Sequence, residues 1–252
     1  VRACFTDFIT HFQFSFMRLS SVFRRSLWLA LPAMLAFSSC SDDSDSPAPD
    51  QARVRFVHDI VAASTVPVKG YVGTQEVATL NYGQSSAYTN VAVGAQDIKV
   101  TASQTSAVLN TVNRSLTKGT SYSVFAYASG TGATPLVTED NLTVPGSGKA
   151  KIRLVNLGVG TATAVGLSRV QGTGFAPITT ADVTYGTASS FVETDAGAVA
   201  LFLTSNGSPT TPLITPNPKT LTAGKIYTVV IRGTNTPLTN DQEFKVDFIE
   251  NN

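Results

Sequence analysis

The stretch Ala52-Arg-Val-Arg-Phe-Val-His58 recurs as Ala150-Lys-Ile-Arg-Leu-Val-Asn156. Charged and apolar residues alternate in it, the period of a strand with one face in a core. That reading puts Val54 and Phe56 inside and Arg53 and Arg55 in water, and the second copy repeats it with Lys151 and Arg153 outward. Two further blocks recur in the same order. Tyr82-Gly83 with Ser86 and Tyr88 matches Tyr185-Gly186 with Ser189 and Phe191, and Leu116-x-x-Gly119-x-x-Tyr122 matches Leu221-x-x-Gly224-x-x-Tyr227. Preserved order is the mark of an internal duplication. The offset between copies grows from block to block, so the second copy carries loop insertions on the same plan.

Each copy reads as a series of strands. Ile98, Val100 and Ala102 alternate with Lys99 and Thr101, and Tyr122–Tyr127 and Tyr227–Ile231 are β-branched and aromatic runs suited to buried central strands. Helical periodicity is missing, and turn glycines fall at Gly70, Gly73, Gly83, Gly94 and Gly119. The expected fold is all-β, with two tandem immunoglobulin-like β-sandwich domains over 51–145 and 149–250. Pro145-Gly-Ser-Gly148 is the hinge, too short to let the copies drift far apart. The sandwiches are expected to fold separately.

The two Leu-x-x-Gly-x-x-Tyr segments resemble the tyrosine corner of immunoglobulin-like and fibronectin-type sandwiches. That resemblance gives Tyr122 and Tyr227 a structural role, each ring on the core and each hydroxyl bonded to backbone a few residues upstream. Together the three blocks resemble the envelope family known as domain of unknown function 4397, whose copies commonly occur in tandem in secreted and lipid-anchored bacterial proteins. The resemblance covers nearly all of 51–250 and implies no activity.

Ahead of the duplication, residues 1–39 read as a signal peptide. Arg18, Arg24 and Arg25 precede the apolar run Leu27–Phe37, which is too short to span a bilayer and ends in Ser38-Ser39-Cys40. Val1–Phe16 precedes Met17 and reads as an untranslated extension. The order basic, apolar, small, Cys resembles a bacterial lipoprotein signal, which makes Cys40 the lipidated N-terminus and the membrane its partner. Residues 40–50 are then an acidic tether without a large apolar side chain, unable to fold alone. Asp42, Asp43 and Asp45 directly after the cysteine resemble the surface-export signal of Bacteroidetes-type lipoproteins. The expected location is the outer membrane, facing the cell surface, with the periplasmic face as the alternative.

Composition narrows the chemistry. With Arg2, Arg18, Arg24, Arg25 and Asp7 removed along with the first forty residues, 14 basic and 16 acidic side chains remain. The basic ones stand singly, without the clustered footprint of a nucleic-acid binder. Cys4 and Cys40 are the cysteines of the chain, which leaves the repeats without a disulfide or thiolate metal site. His58 with Asp59 supplies two metal ligands at most, and its counterpart Asn156 keeps hydrogen bonding and loses ligation. Both therefore read as structural, and no metal or cofactor is expected. A nucleophile triad has no Gly-x-Ser-x-Gly elbow to present it. Asp97, Glu139, Asp140, Asp182, Glu193 and Asp195 show no spacing that pairs them. Sugar-stacking platforms would fall to Tyr71, Tyr82, Tyr127, Tyr185 or Phe175, most of them in core phase. Two loops remain as contact surfaces: Val170–Pro177 with Phe175 on a Gly-rich turn, and Ser205–Pro218 with Pro209, Pro212 and Pro216, where Pro equally serves to blunt a sheet edge. The expected role is a non-catalytic surface binding, adhesion or spacer module with an unknown glycan or protein partner. The rivals are an accessory subunit of an outer-membrane assembly and a carboxylate-dependent glycan-active enzyme.

Overall fold

The computed structural model describes residues 50–252, apart from 131, 162–163, 172, 206–207 and 215–217. Residues 1–39, read above as a signal peptide, and Cys40, Asp42, Asp43, Asp45 and Pro216 lie outside the described residues. Residues Pro47–Asn252 form one compact unit.

Copy one has eight strands: β1 (Gln51–Asp59), β2 (Val68–Val72), β3 (Gln75–Leu80), β4 (Thr89–Ala92), β5 (Gly94–Ala102), β6 (Val108–Leu116), β7 (Ser121–Ser129) and β8 (Gly132–Glu139). They form two sheets, β4-β1-β7-β8 and β3-β2-β5-β6. The pair β1–β7 is parallel, from Arg53 opposite Ser121 to Asp59 opposite Tyr127. Val54, Phe56, Tyr122, Val124 and Ala126 of the first sheet pack on Val68, Val72, Ile98, Val100 and Leu116 of the second. The chain is thus an all-β protein, and its period-2 apolar residues make a sandwich core.

Copy two repeats the plan with β9 (Lys149–Asn156), β10 (Val165–Gln171), β11 (Gly174–Pro177), β12 (Thr187–Ala188), β13 (Val192–Asp195), β14 (Gly197–Val199), β15 (Leu201–Ser205), β16 (Ser208–Ile214), β17 (Lys219–Leu221), β18 (Ile226–Arg232) and β19 (Lys245–Glu250). One sheet runs β12-β9-β18-β19 with β13 also on β9, a second runs β11-β10-β15-β16, and β14 pairs with β17 in a two-stranded sheet. Parallel pairing of β9 with β18 reproduces β1–β7. The segment carrying Pro209 and Pro212 is β16, an edge strand, where a residue lacking an N–H is tolerated.

Both tyrosine corners have the same geometry. The Tyr122 hydroxyl accepts from Thr117 N at 3.0 Å, and the Tyr227 hydroxyl from Thr222 N at 3.1 Å. Gly119 and Gly224 make the turn at φ 73° and 81°, in the left-handed region. Each Tyr→Phe substitution is expected to lower stability by about 0.5–1.5 kcal/mol, read as a shift of the denaturant midpoint.

The repeated strand departs from the simple alternation. Arg53 is exposed, whereas Arg55, Lys151 and Arg153 are buried, the two arginines at 2% and 1% exposure. The reason is a third apolar cluster. Val57 and Phe125 of copy one meet Val155, Leu157 and Val230 of copy two, joined by half-buried Tyr127, Leu136, Ala188 and Ile249. The outer faces of the β1 and β9 sheets therefore cover one another, and both strands are buried on two sides. This shared core joins the two sandwiches along those faces. Even the hinge is strapped down: Lys151 Nζ donates to Thr143 O at 2.7 Å, and Gly146 N to Glu193 Oε1 at 3.2 Å.

Candidate functional site

The seam between the copies gathers the buried charges Arg55, Asp59, Asp140 and Arg153. Arg55 and Arg153 hold equivalent places in it. Arg55 Nε donates to Ser123 Oγ at 2.8 Å and its Nη1 to Glu250 O at 3.2 Å. Arg153 Nε donates to Thr228 Oγ1 at 3.0 Å and its Nη1 to Glu139 O at 3.4 Å. Each guanidinium thus bonds a hydroxyl of its own copy and reaches the carbonyl ending the other copy's last strand. A surface that pairs with its own counterpart in this way is isologous, with pseudo-two-fold symmetry.

The symmetry breaks at one acid. Asp140, after β8, accepts from Ser123 Oγ at 2.6 Å and from the Tyr88 hydroxyl. Its Oδ1 lies 2.6 Å from Arg153 Nη2, out of line for a hydrogen bond, so charge holds that contact. The corresponding residue of copy two is Asn251, which accepts from Thr228 Oγ1 at 3.0 Å and carries no charge. Two buried guanidinium groups therefore face one described carboxylate. Burial lowers the pKa of both arginines against the pull of Asp140 and Tyr88, and raises the Tyr88 phenol to about 12. Aromatic faces cover the cations: Tyr88 lies 4.9 Å from the Arg55 guanidinium carbon, and Phe191 lies 4.4 Å from that of Arg153.

The Tyr-Gly blocks dock on the opposite copy. Gly83 sits against the Arg232 guanidinium, where a Cβ would meet Cζ at 2.8 Å, and Tyr82 lies 4.8 Å below that group. Gly186 sits against Tyr127, where a Cβ would meet the hydroxyl at 2.6 Å. Tyr185 makes an edge contact with Tyr127 at 5.5 Å and donates its hydroxyl to Ala128 O. One end of the seam is thus ionic and the other aromatic. Ser86 and Ser189 have local work: their hydroxyls accept from Phe56 N at 3.0 Å and Leu154 N at 2.9 Å.

His58 is fully buried. Its Nδ1 accepts from Ile60 N at 3.3 Å, and Nε2 lies 3.2 Å from Val66 O, a pattern the neutral ring with Nε2–H satisfies. Burial lowers its pKa. Asn156 serves the same turn of copy two, donating to Val183 O at 3.1 Å and accepting from Gly158 N at 3.3 Å. Beside His58, fully buried Asp59 shares Arg232 with Asp247: Asp59 Oδ1 lies 3.9 Å from Arg232 Nε, and Asp247 pairs with the same nitrogen. Among the described residues no group of three or more His, Cys, Asp and Glu is placed to hold a metal ion.

The remaining acids are dispersed. Asp195 pairs with Lys149 and Arg169, Asp97 accepts from Asn113, and Asp182 lies against Gly166. Phe175, expected in the open, packs edge-on against Phe202 at 4.8 Å and is half-buried. Tyr71 carries Lys99 over its ring at 4.8 Å. Outside the seam, the free face of the β3-β2-β5-β6 sheet has a polar groove of about 420 Å³ lined by Gly73, Thr74, Gln96, Asp97, Lys99 and Asn113. Arg55, Arg153, Arg232 and Asp247 escaped the sequence reading. For Arg55 and Arg153 the signal was there: an Arg kept at the same place in both copies of a strand has a partner in both.

No curated protein matches the chain. Among solved structures it is distantly similar to the C-terminal domain of AlgF from P. aeruginosa, at 19% identity over 41% of this chain and 96% of that one, TM-score 0.26. Another is CBMbc (family CBM26) from Eubacterium rectale Amy13K in complex with maltoheptaose, at 12% identity over 77% and 100%, TM-score 0.23. A leucine-rich repeat protein from Bacteroides thetaiotaomicron follows at 15% identity over 75% and 27%, TM-score 0.20. One family model matches, and its segment runs from the last residue of β1 to the first of β10, taking in most of copy one and strand β9. Residues 59–165 match the model of the family described as Domain of unknown function (DUF4397).

Proposed function

We propose that the protein is a non-catalytic envelope module, held by a lipid on Cys40 and displaying its joined sandwiches for binding or spacing at the cell surface. The observation that carries this reading is where the reactive side chains go. His58, Asp140, Arg55 and Arg153 are buried and engaged in holding a turn or joining the copies. Groups committed in this way serve architecture, and binding falls to the outer faces and loops. The groove of Asp97, Asn113, Gln96 and Lys99 offers amide, carboxylate and ammonium groups side by side, a set suited to the hydroxyls of a glycan.

A glycan array with the purified chain tests the binding half. Retention expected of the native chain should fall at least tenfold for Asp97→Ala with Asn113→Ala, both at exposed positions that leave the core untouched. Equal retention by the variant would remove the groove from the proposal. For display, protease added to intact cells is expected to digest the native form and spare one with Asp42, Asp43 and Asp45 changed to Ala. Protection of the native form until the outer membrane is opened would place it in the periplasm and favour an accessory-subunit role.

A further inference from the structure

We propose that the seam is a proton-responsive latch, closed at acidic pH and released as pH rises, through two carboxylates that share one guanidinium across the two copies. Asp59 comes from copy one, and Arg232 and Asp247 from copy two. Asp59 is the least satisfied of the three, since its Oδ2 is buried without a hydrogen-bond partner. When both acids are ionised, the cluster holds two negative charges against one positive, and the Asp59 charge is the fully buried one. When Asp59 is protonated, Arg232 and Asp247 form a balanced pair and the cluster is neutral. An uncompensated charge buried in an interface disfavours the closed form.

The neighbours leave Asp59 as the titrating member. Burial lowers the pKa of His58 on β1, whose ring nitrogens are engaged within copy one by Ile60 N and Val66 O. Tyr127 is the residue opposite Asp59 on β7. Burial raises the pKa of the Tyr82 phenol, from the loop after β3, keeping it neutral at physiological pH. Arg232 on β18 and Asp247 on β19 complete the set, with Lys245 and Asp241 paired to each other at the rim. At the pseudo-equivalent place copy two has Leu157 for Asp59, and the Tyr127–Tyr185 contact stands where Tyr82 meets Arg232. Only one end of the seam is ionic, so the other is the pivot.

Burial first of all, opposed by Arg232 and reinforced by Asp247, raises the Asp59 carboxyl from 3.8 to about 7. The sign follows from proton counting. Between those values closed Asp59 holds a proton that open, solvated Asp59 has lost, so the closed form is most favoured below 3.8 and loses that advantage as pH rises to about 7. The opening constant should rise roughly tenfold per pH unit through that window and level off above it.

Amide hydrogen exchange of the full chain at pH 5, 6, 7 and 8, corrected for the intrinsic pH dependence of exchange, reads this directly. Segments around Val57–Asp59, Phe125–Tyr127, Val155–Leu157 and Val230–Arg232 should lose protection roughly tenfold per unit from pH 5 to 7 and then plateau. Asp59→Asn should flatten that dependence, and His58→Asn, which installs copy two's residue at that turn, should keep it. Asp247→Asn leaves Arg232 to Asp59 alone and should move the plateau to lower pH. A flat profile in the native chain, or an unaltered slope in Asp59→Asn, would overturn the latch.

Discussion

Arg153→Met is expected to cost about 3–5 kcal/mol of unfolding free energy, measured by chemical denaturation at neutral pH. The side chain is almost fully buried, and its charge partner Asp140 is fully so. Removing the cation leaves the buried carboxylate without its ion pair, supported by the Tyr88 and Ser123 hydroxyls and by the more distant charge of Arg55. The loss is a large fraction of what a domain of ordinary stability has. Adding Asp140→Asn to Arg153→Met should recover part of it, because the amide can keep the hydroxyl contacts, as Asn251 keeps Thr228 in copy two. A single substitution costing under about 1 kcal/mol, in the range of exposed pairs, would mean the ion pair does not hold the seam.

The second large effect is expected from Phe125→Ala, at about 3–5 kcal/mol for emptying a packed site. Phe125 is fully buried, and its neighbours Val155, Leu157 and Val230 belong to the other copy. The loss should therefore appear in both halves together. Hydrogen exchange should show β9 and β18 losing protection along with β1 and β7. If only the copy carrying the substitution is weakened, the third core does not couple the halves.

The sandwich was legible because a strand's side-chain period is two and the duplication showed each block twice. Val54, Phe56, Ile98 and Val100 are in the core for the reason their spacing suggests. The tyrosine corners were legible too, since Gly119 and Gly224 supply the turn that brings each hydroxyl to its amide. The seam was not. Arg55 and Arg153 are charged residues at outward strand positions, which from one strand alone means water. What buries them is the outer face of a sheet far along the chain, and alternation carries no information about that. The better clue lay in the repeated Tyr-Gly pairs. A glycine kept after a tyrosine in both copies marks close approach by something, and here it is Arg232 for Gly83 and Tyr127 for Gly186.

The near-symmetry of the seam has a consequence for how such a protein behaves on dilution. A self-complementary surface on one free repeat would join two molecules, and the union would dissolve as concentration fell. Covalent linkage through Pro145–Gly148 turns that encounter into an intramolecular one, with an effective concentration in the millimolar range for a short flexible connection. Melting should then be independent of protein concentration, as it is not for a dimer of separate chains. Linkage also lifts a constraint. In a homodimer every substitution occurs on both sides of the axis, whereas here Asp140 faces a world in which its counterpart is Asn251, and His58 one in which its counterpart is Asn156. Unequal halves allow one rim to respond to protons while the other stays inert.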